Sequence, residues 1–140
     1  MRIYQAGPLF TAAEILWHRD FKHHLTAAGH DVRWPGDFFT PPEIDSWGAD
    51  APKMIMKKDR SAIDDCDVVV ALLDGAQVDD GTAWEIGYAF ARGKPVVGIR
   101  TDFRNGGDTS HGRVNAMIEG SCVSIEADED GVLKALRRLF

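Results

Sequence analysis

Three acids, two glycines and a threonine crowd one short stretch of this chain, Asp79-Asp80-Gly81-Thr82-Ala83-Trp84-Glu85-Ile86-Gly87. The stretch follows an apolar run, Val68 to Leu73, and reads as the opening of a helix over Thr82 to Arg92. Glu85 therefore falls one turn inside a helix that begins just after a buried strand. Open α/β sheets place their ligands at such junctions. A glutamate there has two readings. In the first, Thr82 and Glu85 form a capping box, with Glu85 reaching back to the Thr82 amide. In the second, Glu85 is a catalytic carboxylate. Asp79 and Asp80 shift the balance to the second, because clustered like charges are costly unless a ligand or a shared proton offsets them.

A second segment, Tyr4-Gln5-Ala6-Gly7-Pro8-Leu9-Phe10, ends the first strand. In a doubly wound sheet that strand lies centrally, so its carboxyl end borders the ligand crevice. Gly7 lets a ligand approach the backbone closely. The Tyr4 hydroxyl can reach a carboxylate from the neighbouring strand's loop, although a half-buried strand tyrosine explains the residue equally well. Asp59 sits in Lys57-Lys58-Asp59-Arg60 within a helix, and by composition belongs to a solvated charged face. Asp64, Asp65 and Asp67 read as turn and surface acids. There is no GxGxxG fingerprint and no GxxxxGK[ST] phosphate loop, and the expectation is an enzyme without metal or cofactor.

These groups need a frame. Ile3 to Ala6 is a strand ended by Gly7-Pro8, and Thr11 is placed to cap a helix that closes at Gly29. Asp31 to Trp34 is a second strand. Residues 35 to 52 hold four of the six prolines, with Phe38, Phe39 and Trp47, and read as a long loop carrying large exposed rings, an ordered lid. Met54 to Asp65 is a helix, Val68 to Leu73 a strand covered on both faces, Pro95 to Ile99 the next strand. A short helix over 112–119, a strand from Val123 to Ile125 and a closing helix from Glu129 to Phe140 complete the pattern. Alternating strands and helices predict an α/β fold: one flavodoxin-like (Rossmann-like) domain over residues 1–140, with a five-stranded parallel sheet and helices on both faces.

Bulk properties narrow the function classes. At 140 residues the chain can bury one sizeable core. Its formal net charge of −6 argues against non-specific binding to nucleic acid or to an anionic membrane, both of which need a basic face. It leaves a small nucleoside open. Cys66 and Cys122 are far apart and in no motif, as expected of reduced core thiols in a cytoplasmic protein. The amino terminus runs straight into a strand, so neither a signal peptide nor a membrane span is expected.

Taken in order, four elements resemble the nucleoside 2-deoxyribosyltransferases. They are Tyr-x-Ala-Gly-Pro-Leu-Phe at residues 4–10, the helix-borne Asp59 ahead of Asp67-Val68-Val69-Val70-Ala71, the stretch from Asp79 to Ala89, and Asn115-Ala116-Met117. The resemblance covers nearly the whole chain. It implies that Glu85 attacks C1′ of a 2′-deoxyribonucleoside and that the Tyr4 hydroxyl orients and tunes it. Asp59 and Asp79 would lie near the sugar hydroxyls and the base, and one of them would help protonate the leaving base. Phe10 would contact the base, and Gly7 and Gly81 would border the substrate. Asn115 would reach the 5′-hydroxyl in a neighbouring subunit's site, with Met117 beside it. A homo-oligomer with sites completed across subunits follows, acting on a 2′-deoxyribonucleoside and a free nucleobase.

The chemistry fits these groups. Breaking an N-glycosidic bond passes through an oxocarbenium-like state, which a carboxylate can trap from the opposite sugar face while a second group protonates the base. An incoming base then gives transfer and water gives hydrolysis. A 2′-deoxynucleoside or deoxynucleotide N-glycosidase is therefore the nearest alternative. The resemblance to the 5′-monophosphate N-hydrolases is weaker: Asn115 stands where they favour a small hydroxyl residue, and the turn after the first strand lacks a basic residue. The Gly-Thr-x-x-Glu element is also similar to that of cytokinin-activating phosphoribohydrolases, but their Pro-Gly-Gly run is missing. A non-catalytic nucleotide-sensing module is the third reading, and Tyr4, Asp79 and Glu85 together weigh against it.

Overall fold

Val68–Leu72 contains no polar residue, and all five of its residues are buried. A strand of that kind needs cover on both faces. In the computed structural model, which describes residues 1–140, it is β3 of a sheet comprising β1 (Arg2–Ala6), β2 (Asp31–Arg33), β3, β4 (Val96–Ile99) and β5 (Ser124–Glu126). All neighbours are parallel, in the order β2-β1-β3-β4-β5. This is the expected flavodoxin-like order. The chain leaves β1 towards β2 on one side and returns to β3 on the other, so the carboxyl ends of β1 and β3 flank the topological switch point.

Side-chain alternation divides the core in two. Val68, Val70 and Leu72 point to one face, where α1 (Ala12–Ala27) contributes Phe21 and Leu25, and α6 (Glu129–Leu139) contributes Val132 and Leu136. Val69, Ala71 and Leu73 point to the other, where α3 (Ala51–Asp65) supplies Ile63 and α4 (Asp80–Ala91) supplies Ile86 and Ala89. Tyr4 belongs to this second face and is fully buried. Both cysteines are free thiols; Cys66 is buried and Cys122 half-buried. No helix is long and apolar enough to cross a membrane.

The stretch from 35 to 52 differs from the expected loop. It folds into short helical turns at Pro35–Asp37 and Gly48–Asp50 around α2 (Pro41–Ser46). Its prolines open these turns instead of breaking them, because a missing amide hydrogen costs nothing in the first turn of a helix. Its rings are half-buried, with Phe39 edge-on to Trp47 at 4.8 Å and to Phe38 at 6.4 Å. The late short helix, α5 (Ala116–Ser121), also starts later than the expected 112.

Candidate active site

Glu85 is not the reaching arm of a capping box. Asp79 caps α4, its Oδ2 accepting from the Thr82 amide at 2.9 Å and the Thr82 hydroxyl at 3.0 Å. An aspartate is at least as good a cap as threonine, and its charge suits the positive end of the helix dipole. Thr82 thus lies three residues inside the helix and is buried. Glu85 is released to turn towards β1, where the Tyr4 hydroxyl donates to its Oε1 at 2.5 Å. Burial pushes the Glu85 carboxyl up to about 8. The Tyr4 hydrogen bond opposes that shift, and the charges of Asp59 and Asp79 add to it. Burial likewise drives the Tyr4 hydroxyl far upwards, so it acts as a neutral donor.

Asp59 is not part of a solvated face. It is half-buried, it lines the same cavity as Glu85, and its Oδ1 is buried with no partner. Burial raises its carboxyl to about 6. An unpaired polar atom withdrawn from water is costly unless a ligand or a proton satisfies it. Between about pH 6 and 8, Asp59 and Glu85 together hold one proton.

The cavity has a volume of about 510 Å³ and crosses the carboxyl end of β1. Gly7, Phe10, Asp59, Asp79, Gly81 and Glu85 all line it. A capping box, Glu14 Oε2 to the Thr11 amide at 2.8 Å and Thr11 Oγ1 from the Glu14 amide at 3.2 Å, pins the start of α1. The same carboxylate accepts from the Phe10 amide at 3.0 Å, which holds the 79% exposed Phe10 ring at the rim. Gly81 leaves room for its neighbour, since a Cβ there would lie 3.2 Å from Asp79 Oδ2.

Residues that escaped the sequence reading complete the walls. His18 is fully buried, with Nδ1 2.8 Å from Gln5 Nε2 and its ring stacked on Trp34 at 5.8 Å. Burial lowers it to about 4, so it is neutral. A Cβ at Gly7 would meet this ring at 2.4 Å, which gives that glycine a steric reason. Ile15, Arg19, Ile44 and Ile55 line the cavity beyond the acids, together with Phe39 of the expected lid. The signal for Arg19 was its spacing of four from Ile15, which puts both on one face of α1. The turn after β1 does lack a basic residue, as read from the sequence, but Arg19 brings one from the next helix.

Asn115 and Met117 are not brought to Glu85 within the chain. They line a second cavity of about 800 Å³ with Arg100 and Phe90, beside α4 and α5. Asn115 caps α5, accepting from the Met117 amide at 3.0 Å, and donates to Asp108 at 2.9 Å. Met117 is 79% exposed.

Residues 3–117 match the family described as nucleoside 2-deoxyribosyltransferase. The chain belongs to that family. It is 37% identical over 108 residues to an uncharacterized protein of Ureaplasma parvum, covering 69% of this chain and 63% of that one. It is 41% identical over 107 residues to an uncharacterized protein of Schizosaccharomyces pombe, covering 73% of this chain and 51% of that one. The chain thus spans between half and two-thirds of the length of these curated relatives. Among solved structures, a 2-deoxyribosyltransferase from Bacillus psychrosaccharolyticus superposes with a TM-score of 0.80 at 26% identity, over 94% of this chain and 90% of that one.

Proposed function

We propose that this member of the family transfers 2-deoxyribose between nucleobases through a covalent glutamyl intermediate on Glu85. The observation that carries the reading is the partly buried Tyr4–Glu85 hydrogen bond, which holds Glu85 at a cavity that an unpartnered Asp59 also lines. In the first half-reaction a Glu85 oxygen bonds to C1′ as the bond from C1′ to the base nitrogen breaks. The electron pair of that bond leaves with the base, which takes a proton from Asp59. In the second half-reaction an incoming base attacks C1′, Glu85 leaves, and the proton returns. Positive charge building on the sugar pairs with the Glu85 carboxylate, which shifts the shared proton to Asp59 where it is needed. Asp79 is held by Thr82 and faces the sugar hydroxyls as an acceptor. Phe10 covers the base. Asn115, with Met117, reaches the 5′-hydroxyl of a neighbouring subunit's substrate, in a homo-oligomer built on the α4–α5 surface.

Incubation with deoxyinosine and free adenine tests this, with deoxyadenosine followed by chromatography. Product that needs both reactants supports transfer. Base release that is independent of acceptor would replace it with the N-glycosidase reading. A 2′-fluoro-substituted nucleoside should leave an adduct on Glu85 by intact mass; an unmodified protein after full turnover would overturn the covalent step.

A further inference from the structure

The cavity around Glu85 has two electrically different walls, and the chemistry above uses one of them. The acidic wall comes from α3 and α4, on one face of the sheet. The opposite wall includes Arg19, carried by α1 from the other face. Arg19 is the one basic side chain in the cavity wall. It takes part in none of the protein's ion pairs. The same cavity is also lined by the apolar side chains of Phe10, Ile15, Phe39, Ile44 and Ile55.

We propose that Arg19 reads the edge of the nucleobase farthest from its glycosidic nitrogen and selects bases with a keto oxygen there. The proposal rests on the deoxyribose-transfer reading of the site. If C1′ lies against Glu85, the base extends from it along these apolar side chains towards the α1 wall, as planar ligands do in such pockets. Its far edge then points to Arg19. On a purine that edge carries the C6 substituent, and on a pyrimidine the C4 substituent. A guanidinium has only donors. A keto oxygen accepts from it with the gain of a charge-assisted bond, whereas an exocyclic amine sets donor against donor. Hypoxanthine, guanine, uracil and thymine are therefore preferred over adenine and cytosine. A 5′-phosphate is the competing partner for Arg19. Seating it there would take the base out of the apolar stretch and leave it against the carboxylates.

In a ping-pong scheme the donor's kcat/KM reports the first half-reaction alone, so the acceptor cancels. The wild-type ratio of kcat/KM for deoxyinosine over deoxyadenosine should exceed about tenfold, and Arg19→Met should lower that ratio by about tenfold. Arg19→Lys, which keeps donors, should retain part of the preference. An unchanged ratio in Arg19→Met, or a wild-type preference for deoxyadenosine, overturns the proposal. So does a wild-type preference for deoxyinosine 5′-monophosphate over deoxyinosine that Arg19→Met abolishes. Calorimetry with free hypoxanthine and free adenine needs no turnover. If no nucleoside is processed, the transferase reading fails, while hypoxanthine binding that weakens selectively in Arg19→Met still supports the base-edge role. Equal binding of both bases by the wild type counts against it.

Discussion

The two cavities flanking the start of α4 solve the problem of buried polar groups in opposite ways. In the larger one, Arg100 is 3% exposed and donates to the carbonyls of Leu73, Gly75 and Arg104, leaving its Nε alone without a partner. Arg113 donates to the carbonyls of Ile125 and Arg100. Those guanidiniums act as internal braces for the ends of β3, β4 and β5. In the smaller cavity the carboxyls of Glu85 and Asp59 are raised by burial, and Asp59 keeps an oxygen without a partner. Size does not mark the proposed site. Its raised carboxyls do, one of them with an unpaired oxygen, whereas the guanidiniums of the larger cavity are largely spent on backbone carbonyls.

The sharpest way to break this contrast is Glu85→Gln, which keeps shape and removes the proposed nucleophile. Turnover should fall by about 10⁴-fold or more. Stability should move the other way. The Glu85 carboxyl is raised from 4.5 to about 8 in the folded protein, so folding favours its protonated form. Its contribution is complete below about pH 4.5, falls as pH rises, and is lost above about pH 8. The effect is on the order of a few kcal/mol. Thermal unfolding at pH 5 and at pH 8 should show a drop in the wild type that is smaller in Glu85→Gln. Equal drops would mean that Glu85 is solvated.

Tyr4→Phe isolates the hydrogen bond that holds Glu85. Loss of one oriented donor costs about 10²-fold in kcat. That donor lowers the Glu85 carboxyl, so without it the carboxyl rises above about 8 and the alkaline limb of the pH–rate profile moves up. A profile that keeps its wild-type limbs would reduce Tyr4 to core packing.

Much of the frame behind this contrast was legible beforehand. Val68 to Leu73 had to be a doubly covered strand, and Thr11 had to open a helix, because burial and capping act over a few neighbouring residues. The start of α4 lies at Asp80 instead of the expected Thr82, because Asp79 and Thr82 both suit a cap and only the path of the chain into α4 decides between them. Asp59 is placed in the site by the resemblance and not by its composition, and Arg19 by neither, for a different reason. Each sits in a sequence neighbourhood typical of a surface helix, and each faces a cavity only because helices from opposite faces of the sheet meet over β1. The proline-rich segment was obscure because proline marks a helix start as readily as a loop.

Asp59→Asn sharpens the account of the shared proton. The wild type should show a bell-shaped profile between about pH 6 and 8: below it Glu85 is protonated, above it Asp59 has no proton to give. Asp59→Asn removes the acid and also a charge that raises Glu85. Activity should fall about 10- to 10²-fold, and the bell should become a single rise with its midpoint below about 8. A persistent alkaline limb would assign the proton to another group, with Asp79 the next to test.

Asn115→Ala asks whether the larger cavity serves the smaller one across a subunit boundary. Asn115 lies outside the Glu85 cavity of its own chain. Its loss should cost about tenfold in kcat/KM, the scale of one hydrogen bond to a substrate hydroxyl. That loss alone has a dull explanation, since Asn115 also caps α5. Mixing removes it. In a two-fold dimer, a hybrid of Glu85→Gln and Asn115→Ala chains places an intact Glu85 opposite an intact Asn115 in one of its two sites. Random reassembly of equal amounts makes half the dimers hybrid, so about a quarter of all sites regain both groups. Activity above the sum of the two separate variants would show that the sites are shared. If mixing adds nothing after exchange of subunits is verified by mass, Asn115 acts only on its own helix, and the two cavities are independent.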